Sequence, residues 1–195
     1  MPDAVNARSN PFATDRTELL LSYRPEWIGT TKEELLAKWQ QLDQRATLTG
    51  RHGAGKSTLL AWFRQHLLQQ GQQVLHLFLN RQSKSFSETD WQKIREAAGK
   101  FILLDGEEQL GWRARRRFYQ LGQAAEGLLV TRHRPGHLPQ LWDLQPDIAV
   151  LQRCIRRVAP DCYSDVEPHL PQWWQKHRGN IRDILLECYD FHRSR

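Results

Sequence analysis

Cysteine is scarce: Cys154, Cys162 and Cys188 are the only three in 195 residues. None stands in a C-x-x-C pair, which argues against a disulfide framework or a cysteine zinc site and fits a reducing compartment. The eight histidines are scattered and form no helical metal-site pair. No apolar run approaches the length that spans a bilayer. Met1–Arg8 lacks the apolar segment of a secretory signal, so a cytoplasmic protein with no membrane partner is expected. Internal repeats, low-complexity tracts and a dedicated basic tail are also missing.

What is present suits a globular chain of one domain plus a small appendage, with 39% hydrophobic and 26% charged residues. A formal net charge of +6 suits polyanionic partners. Nucleic acid is only weakly supported, because part of that charge can serve a triphosphate.

One stretch organises the rest: Gly50-Arg51-His52-Gly53-Ala54-Gly55-Lys56-Ser57-Thr58. It reads as the end of a short buried strand (Arg45 to Thr49), a glycine-rich turn and the start of a helix. Glycines at 50, 53 and 55 let the backbone curl with its N–H groups inward, and the helix dipole points its positive end into the same hollow. Lys56 can reach outer phosphates, and Ser57 offers a hydroxyl to a magnesium ion. The expectation is a nucleoside triphosphate site, with residues 50–58 as its cradle and ATP and Mg2+ as its cofactors.

Short apolar runs then alternate with helical patterns. Thr31 and Glu34 form a capping box ahead of a helix carrying Leu35, Leu36, Trp39 and Leu42. A helix runs from Lys56 to about Gln70. Strands are expected at Val74–Leu79, read as buried on both faces, at Phe101–Asp105, at Gly127–Thr131 and at Leu141–Leu144. Helices are expected after Ser87 and from Gln109 to Leu121. From about Pro146 the pattern is helical only, with faces at Ile148–Val158, Asp165–Lys176 and Ile181–Tyr189. Before the loop, Asn10-Pro11-Phe12 reads first as an aromatic anchor and second as a strap beside an adenine pocket. The short apolar run Thr17–Tyr23 is ambiguous between helix and strand.

The fold expected is α/β: a three-layer α/β/α arrangement around a mainly parallel five-stranded sheet, with a small helical lid. The divisions are an N-terminal arm and helix over 1–44, a core over 45–145 and a lid over 146–195.

Asp105, ending a buried strand, is the expected magnesium carboxylate beside Ser57. Glu108 is the first candidate to activate water and Glu107 the second, against the alternative of two solvated carboxylates opening a helix. Thr131 could sense the terminal phosphate or simply end its strand. Any of Arg132, His133 and Arg134 could touch phosphate, in this subunit or a neighbouring one. Arg113, Arg115, Arg116 and Arg117 spread around their helix and read as a solvated face or subunit contact sooner than as an arginine finger. Trp173-Trp174 reads as one core and one surface residue.

With these residues in view, the chain resembles a P-loop NTPase of the additional-strand class, and among those a minimal AAA-type ATPase. The likeness implies that the loop and Lys56 hold the triphosphate, Asp105 holds magnesium, a nearby Glu activates water and Thr131 acts as a first sensor. Gly179-Asn180-Ile181-Arg182 resembles the G-N-x-R opening of a lid helix, which implies that Arg182 is a second sensor of nucleotide state. The chain departs from the family in having Gly106 where a Glu usually follows the Asp, and in lacking an obvious oligomer-forming helix between Thr131 and Leu141. The expected activity is Mg-dependent ATP hydrolysis driving a nucleotide-dependent switch, with ATP between core and cap, ATP and ADP as ligands, and a protein partner or self-association beside them. Guanine specificity is disfavoured because no N-K-x-D follows the fourth strand. Two alternatives stand beside it. One is a small-molecule or nucleoside kinase whose pocket and lid use Gln82–Ser87 and Arg132–His137. The other is a catalytically degenerate nucleotide-binding module that docks nucleic acid or protein.

Overall fold

A computed structural model of the chain describes residues 10–13, 17, 20, 21 and 23–194. The first nine residues of the expected arm lie outside it, as do 14–16, 18, 19 and 22. The chain divides into two units, one built on a sheet (Thr30–Gly50 and Gly55–Leu144) and one helical (residues to Gly29, Arg51–Ala54 and Gln145 onward). The expected N-terminal section is therefore shared, its helix belonging to the sheet unit and its described arm residues to the helical one.

The sheet unit opens with α1 (Lys32–Gln41), started by the expected capping box. The Glu34 N–H donates to Thr31 Oγ1 at 3.1 Å and the Thr31 N–H to Glu34 Oε2 at 2.9 Å. Trp39 on α1 meets Phe63 and Phe101 with ring centroids 5.1 and 5.6 Å away. Five strands follow: β1 (Arg45–Gly50), β2 (Val74–Phe78), β3 (Phe101–Asp105), β4 (Gly127–Thr131) and β5 (Gln140–Leu144). All pair in parallel, in the order β2-β3-β4-β1-β5. Parallel neighbours need crossovers, and α2 (Lys56–Gln69), α3 (Glu88–Arg95) and α4 (Trp112–Leu121) supply them.

Residues along β3 and β4 alternate between two covered faces. Ile102, Leu104, Leu128 and Val130 pack with Trp91 and Ile94 of α3 and Phe118 of α4. Leu103 and Leu129, which alternate with them, are also fully buried. Continuous apolar runs therefore suit these central strands, each large side chain contributing about 1.5–3 kcal/mol on burial. β2 departs from the expectation of two buried faces. It is an edge strand, and Phe78 is 59% exposed. Its hydrophobicity matches that of a central strand, but rank in a sheet depends on partners far away in the chain.

The helical unit contains α5 (Ile148–Val158), α6 (Tyr163–Val166), α7 (Leu170–Lys176) and α8 (Ile181–Arg193). The single helix expected over Asp165–Lys176 is broken: α6 gives way to a 3-10 turn at Glu167–His169 before α7 begins. Pro168 and Pro171 have no N–H to donate back along a continuous helix, so each sits in the first turn of a new segment. Leu151, Ile155, Leu170 and Ile184 centre this unit's core, and Phe12 inserts into it with 1% of its surface exposed. Asn10 ties the anchor down, its amide donating to the Tyr189 carbonyl at 3.0 Å while its Oδ1 accepts the Phe12 N–H at 2.9 Å. Trp173 is buried and Trp174 half-buried. Among the described residues no helix is long and apolar enough to cross a membrane.

Candidate functional site

Parallel strands of similar length end at one edge of the sheet, and in the sheet unit that edge gathers the polar residues. β1 ends at Gly50, β3 at Asp105 and β4 at Thr131, with β4 hydrogen-bonded between the other two. The Thr131 hydroxyl donates to Asp105 Oδ1 at 2.5 Å and accepts the Gly106 N–H at 2.9 Å. Its one proton is thus committed to the Asp105 carboxylate, which orients that group. At the far side of β1, Thr49 Oγ1 donates to Asp143 Oδ1 of β5 at 2.7 Å.

Lys56 opens α2 and is buried. Its ammonium donates to the Gly50 carbonyl at 2.6 Å and lies 3.3 Å from His133 Nδ1. Burial lowers its pKa, while the carboxylates of Glu108, Asp105 and Asp143 pull in the opposite direction. Ser57 and Thr58 are exposed at the start of α2. The donors that could hold a divalent cation are the Ser57 hydroxyl and the Asp105 carboxylate. Both are hard oxygen ligands, and with so few of them from the protein they fit magnesium that keeps waters and phosphate oxygens as its other ligands.

The turn after Asp105 separates two adjacent glutamates. Gly106 has φ +85°, and a Cβ built there would lie 2.3 Å from the Leu79 carbonyl oxygen. No side chain fits directly after Asp105, which accounts for the glycine at that place. Glu107 turns into the core and is fully buried. The Nε atoms of Arg115 and Arg132 approach it at 2.8 and 2.9 Å, and the Tyr119 hydroxyl donates to it at 3.1 Å. Burial pushes the Glu107 carboxyl up, against the pull of Arg132, Arg115 and Tyr119. Tyr119 is itself pushed up, by burial and by Glu107, so it stays the donor.

Glu108 turns the other way. Its Oε1 lies 2.9 Å from His133 Nε2, and its Oε2 is buried without a hydrogen-bond partner among the described residues. Of the basic residues after Thr131, Arg132 thus faces Glu107 and His133 faces Glu108, while Arg134 is exposed. On α4, Arg115 joins Glu107, whereas the Arg113 and Arg117 guanidiniums lie over the rings of Trp112 and Trp91 at 5.2 and 4.4 Å.

In the helical unit the middle of the glycine loop is held by its own contacts. Arg51 donates to the carbonyls of Arg178 and Pro146 at 3.0 and 2.9 Å, and its guanidinium lies 5.3 Å from the centre of the Trp174 ring. A Cβ on Gly53, where φ is +68°, would fall 1.7 Å from Asn180 Oδ1. Asn180 caps α8 by accepting the Asp183 N–H at 3.3 Å. Ala54 is buried and His52 exposed. An open groove of about 450 Å³ is lined by Arg51, Asp147, Ile148 and Trp174 among others. Arg182, on α8, is exposed and makes no hydrogen bond or ion pair among the described residues.

Sequence reasoning named Lys56, Asp105, Thr131 and Glu108, and the sheet edge gathers them. It did not find the His133 contact to Glu108, the ion pairs of Glu107, or the Arg51 contacts. Those depend on which strands are neighbours and how the loop folds, and only the basic run after Thr131 hinted at the first of them. The chain matches no protein-family model and no curated protein sequence.

Proposed function

We propose that this chain binds ATP with magnesium and hydrolyses it slowly, as a P-loop NTPase of the additional-strand class with a three-layer core and a C-terminal helical lid. The observation that carries this reading is the convergence of Lys56, Asp105, Thr131 and Glu108 at one sheet edge, with β4 inserted between the loop strand β1 and the Asp105 strand β3.

In this reading the glycine loop, residues 50–58, faces its N–H groups towards the phosphates. Lys56 leaves the Gly50 carbonyl to neutralise the outer phosphates. Magnesium, held through Ser57 and Asp105, supplies charge stabilisation on the phosphate oxygens. Thr131 keeps Asp105 oriented through its hydroxyl. Glu108, with one oxygen anchored and the other unpartnered, accepts the proton of the attacking water. Glu107 has a structural part, since its carboxylate is committed to Arg115, Arg132 and Tyr119. The G-N-x-R likeness assigns the reading of nucleotide state to Arg182. Residues at the sheet edge carry the chemistry by position and charge, the usual economy of phosphoryl transfer.

The test is calorimetric binding of ATP·Mg2+ together with phosphate release in the absence of any acceptor. Binding that Lys56→Ala abolishes, and phosphate release that Glu108→Gln reduces at least about 100-fold, support the reading. Loss of ATP only when an acceptor is added points instead to a kinase. No binding of ATP, GTP or ADP overturns the reading altogether.

A further inference from the structure

His133 stands two residues beyond the end of β4 and is flanked by both of the charged groups on which the proposed hydrolysis depends. Its Nε2 is 2.9 Å from Glu108 Oε1. Its Nδ1 is 3.3 Å from the Lys56 ammonium and 3.2 Å from the Gly50 carbonyl oxygen, which Lys56 also bonds at 2.6 Å. A carboxylate only accepts, so Nε2 is the side of the ring that donates to Glu108, while Nδ1 faces the Lys56 ammonium and the Gly50 carbonyl. The ring is 28% exposed on its side chain, and the Glu108 side chain is 21% exposed.

We propose that His133 is a positioning residue for ATP hydrolysis, holding the water-activating Glu108 in place and retaining Lys56 beside Gly50 until phosphates draw it away. The assignment rests on the ATPase reading and deepens it. The contacts at Glu108 are the observation that carries it furthest. One carboxylate oxygen is bound by the imidazole, and the other is buried without a hydrogen bond, a costly state for a carboxylate oxygen. Its neighbour Glu107 also has an oxygen without a hydrogen bond, Oε2, but each Glu107 oxygen faces an arginine Nε, whereas among the described residues Glu108 is in ion-pair contact through Oε1 alone. Glu108 is instead fixed at one oxygen and left with the other to take a proton from water. Fixing matters because a general base must meet its proton at hydrogen-bond distance, and a glutamate side chain free to rotate spends little time there.

The second half of the assignment concerns Lys56. Its ammonium lies 2.6 Å from the Gly50 carbonyl oxygen and 3.3 Å from His133 Nδ1. A phosphate group bound to Lys56 competes with both contacts. Removing the ring takes away one competitor, so affinity for ATP stays the same or tightens by a few-fold while turnover falls. A residue needed only for folding would weaken binding and turnover together.

The full chain and three variants test this: His133→Ala, His133→Gln, whose amide can still donate to Glu108, and His133→Ala combined with Glu108→Gln. ATP·Mg2+ affinity is measured by calorimetry, and kcat and KM by phosphate release. The expected result is that His133→Ala binds ATP no more weakly than the parent, loses about 10- to 100-fold in kcat, and leaves KM within about two-fold. His133→Gln recovers part of the loss, and the double variant is no slower than Glu108→Gln alone. Binding weakened in step with kcat overturns the proposal, as does a double variant slower than Glu108→Gln. Turnover that does not respond to position 133, or ATP binding by the parent without turnover, also overturns it while leaving nucleotide binding intact. If the parent binds no nucleotide, the ATPase reading fails first and this assignment fails with it.

Discussion

The sheet unit and the helical unit fix their polar residues by different means. At the edge of the sheet, the glutamates are held by side chains: Glu107 by Arg115 and Arg132, and Glu108 by His133 beside Lys56. In the helical unit, the polar groups around the loop and the anchor are held by backbone, although Glu187 there pairs with Lys176 and His177. Arg51 spends its guanidinium on two carbonyls, Asn10 on one, and Asn180 and Asp147 cap helices. The difference teaches where each unit can tolerate change. A charge held by charges leaves an uncompensated partner behind when it is removed, whereas a cap or a carbonyl contact is replaced at modest cost by water.

The strongest test of that contrast is Glu107→Gln. It leaves two half-buried guanidiniums facing a neutral amide, and the protein is expected to lose about 3 kcal/mol in urea unfolding. Glu108→Gln, one residue later, should change stability by less than about 1 kcal/mol, because its neighbourhood is half open. Equal losses would erase the distinction between the two glutamates. Similar in size is Gly106→Ala, which forces a side chain against the Leu79 carbonyl at a left-handed backbone position and should cost about 3 kcal/mol. In the helical unit, Gly53→Ala displaces Asn180 from its cap and should cost about 2 kcal/mol, measured as a fall in Tm. If it costs more than Glu107→Gln, the helical unit is the less forgiving one and the contrast is reversed.

The smallest effect concerns the thiols. Burial pushes Cys154 and Cys188 up to about 12, while Cys162 is only half-buried. At pH 8 Ellman's reagent should label Cys162 quickly in the native protein and the other two only on unfolding. A Cys162→Ser variant that still reacts quickly would show that the helical core opens. Because the folded pKa of the two buried thiols lies above the unfolded value, their contribution to stability is fully present below about pH 9. It is lost as pH rises towards 12.

Much of this arrangement is legible in the chain itself, and the reasons are local. β1, β3 and β4 show themselves as apolar runs because both of their faces are covered. Thr31 and Glu34 announce the start of α1, and Gly50 to Thr58 announces a turn entering α2. The break between α6 and α7 was not read, because the apolar spacing of Leu170 and Trp173 outweighed the local signal of Pro168 and Pro171. The exposure of β2 could not be read, since Val74 to Leu79 is as apolar as any buried strand and only its place at the edge exposes Phe78. The Glu108–His133 pair could not be read either. It joins residues 25 apart, brought together because β3 and β4 are neighbours in register. The same holds for Glu107, whose partners Arg115, Tyr119 and Arg132 lie on a helix and a strand end further along the chain.

The glycine after Asp105 bears on how this site could ever be altered. The Leu79 carbonyl stands where any side chain at 106 would begin, so a carboxylate substituted there clashes with the backbone. Gaining one would first require the end of β2 to retreat, and the Leu79 N–H is tied to the Asp105 carbonyl at 2.9 Å. For an engineer, the accessible routes therefore run through positions 108 and 133, and the turn between β3 and α4 must be moved as a block or left alone.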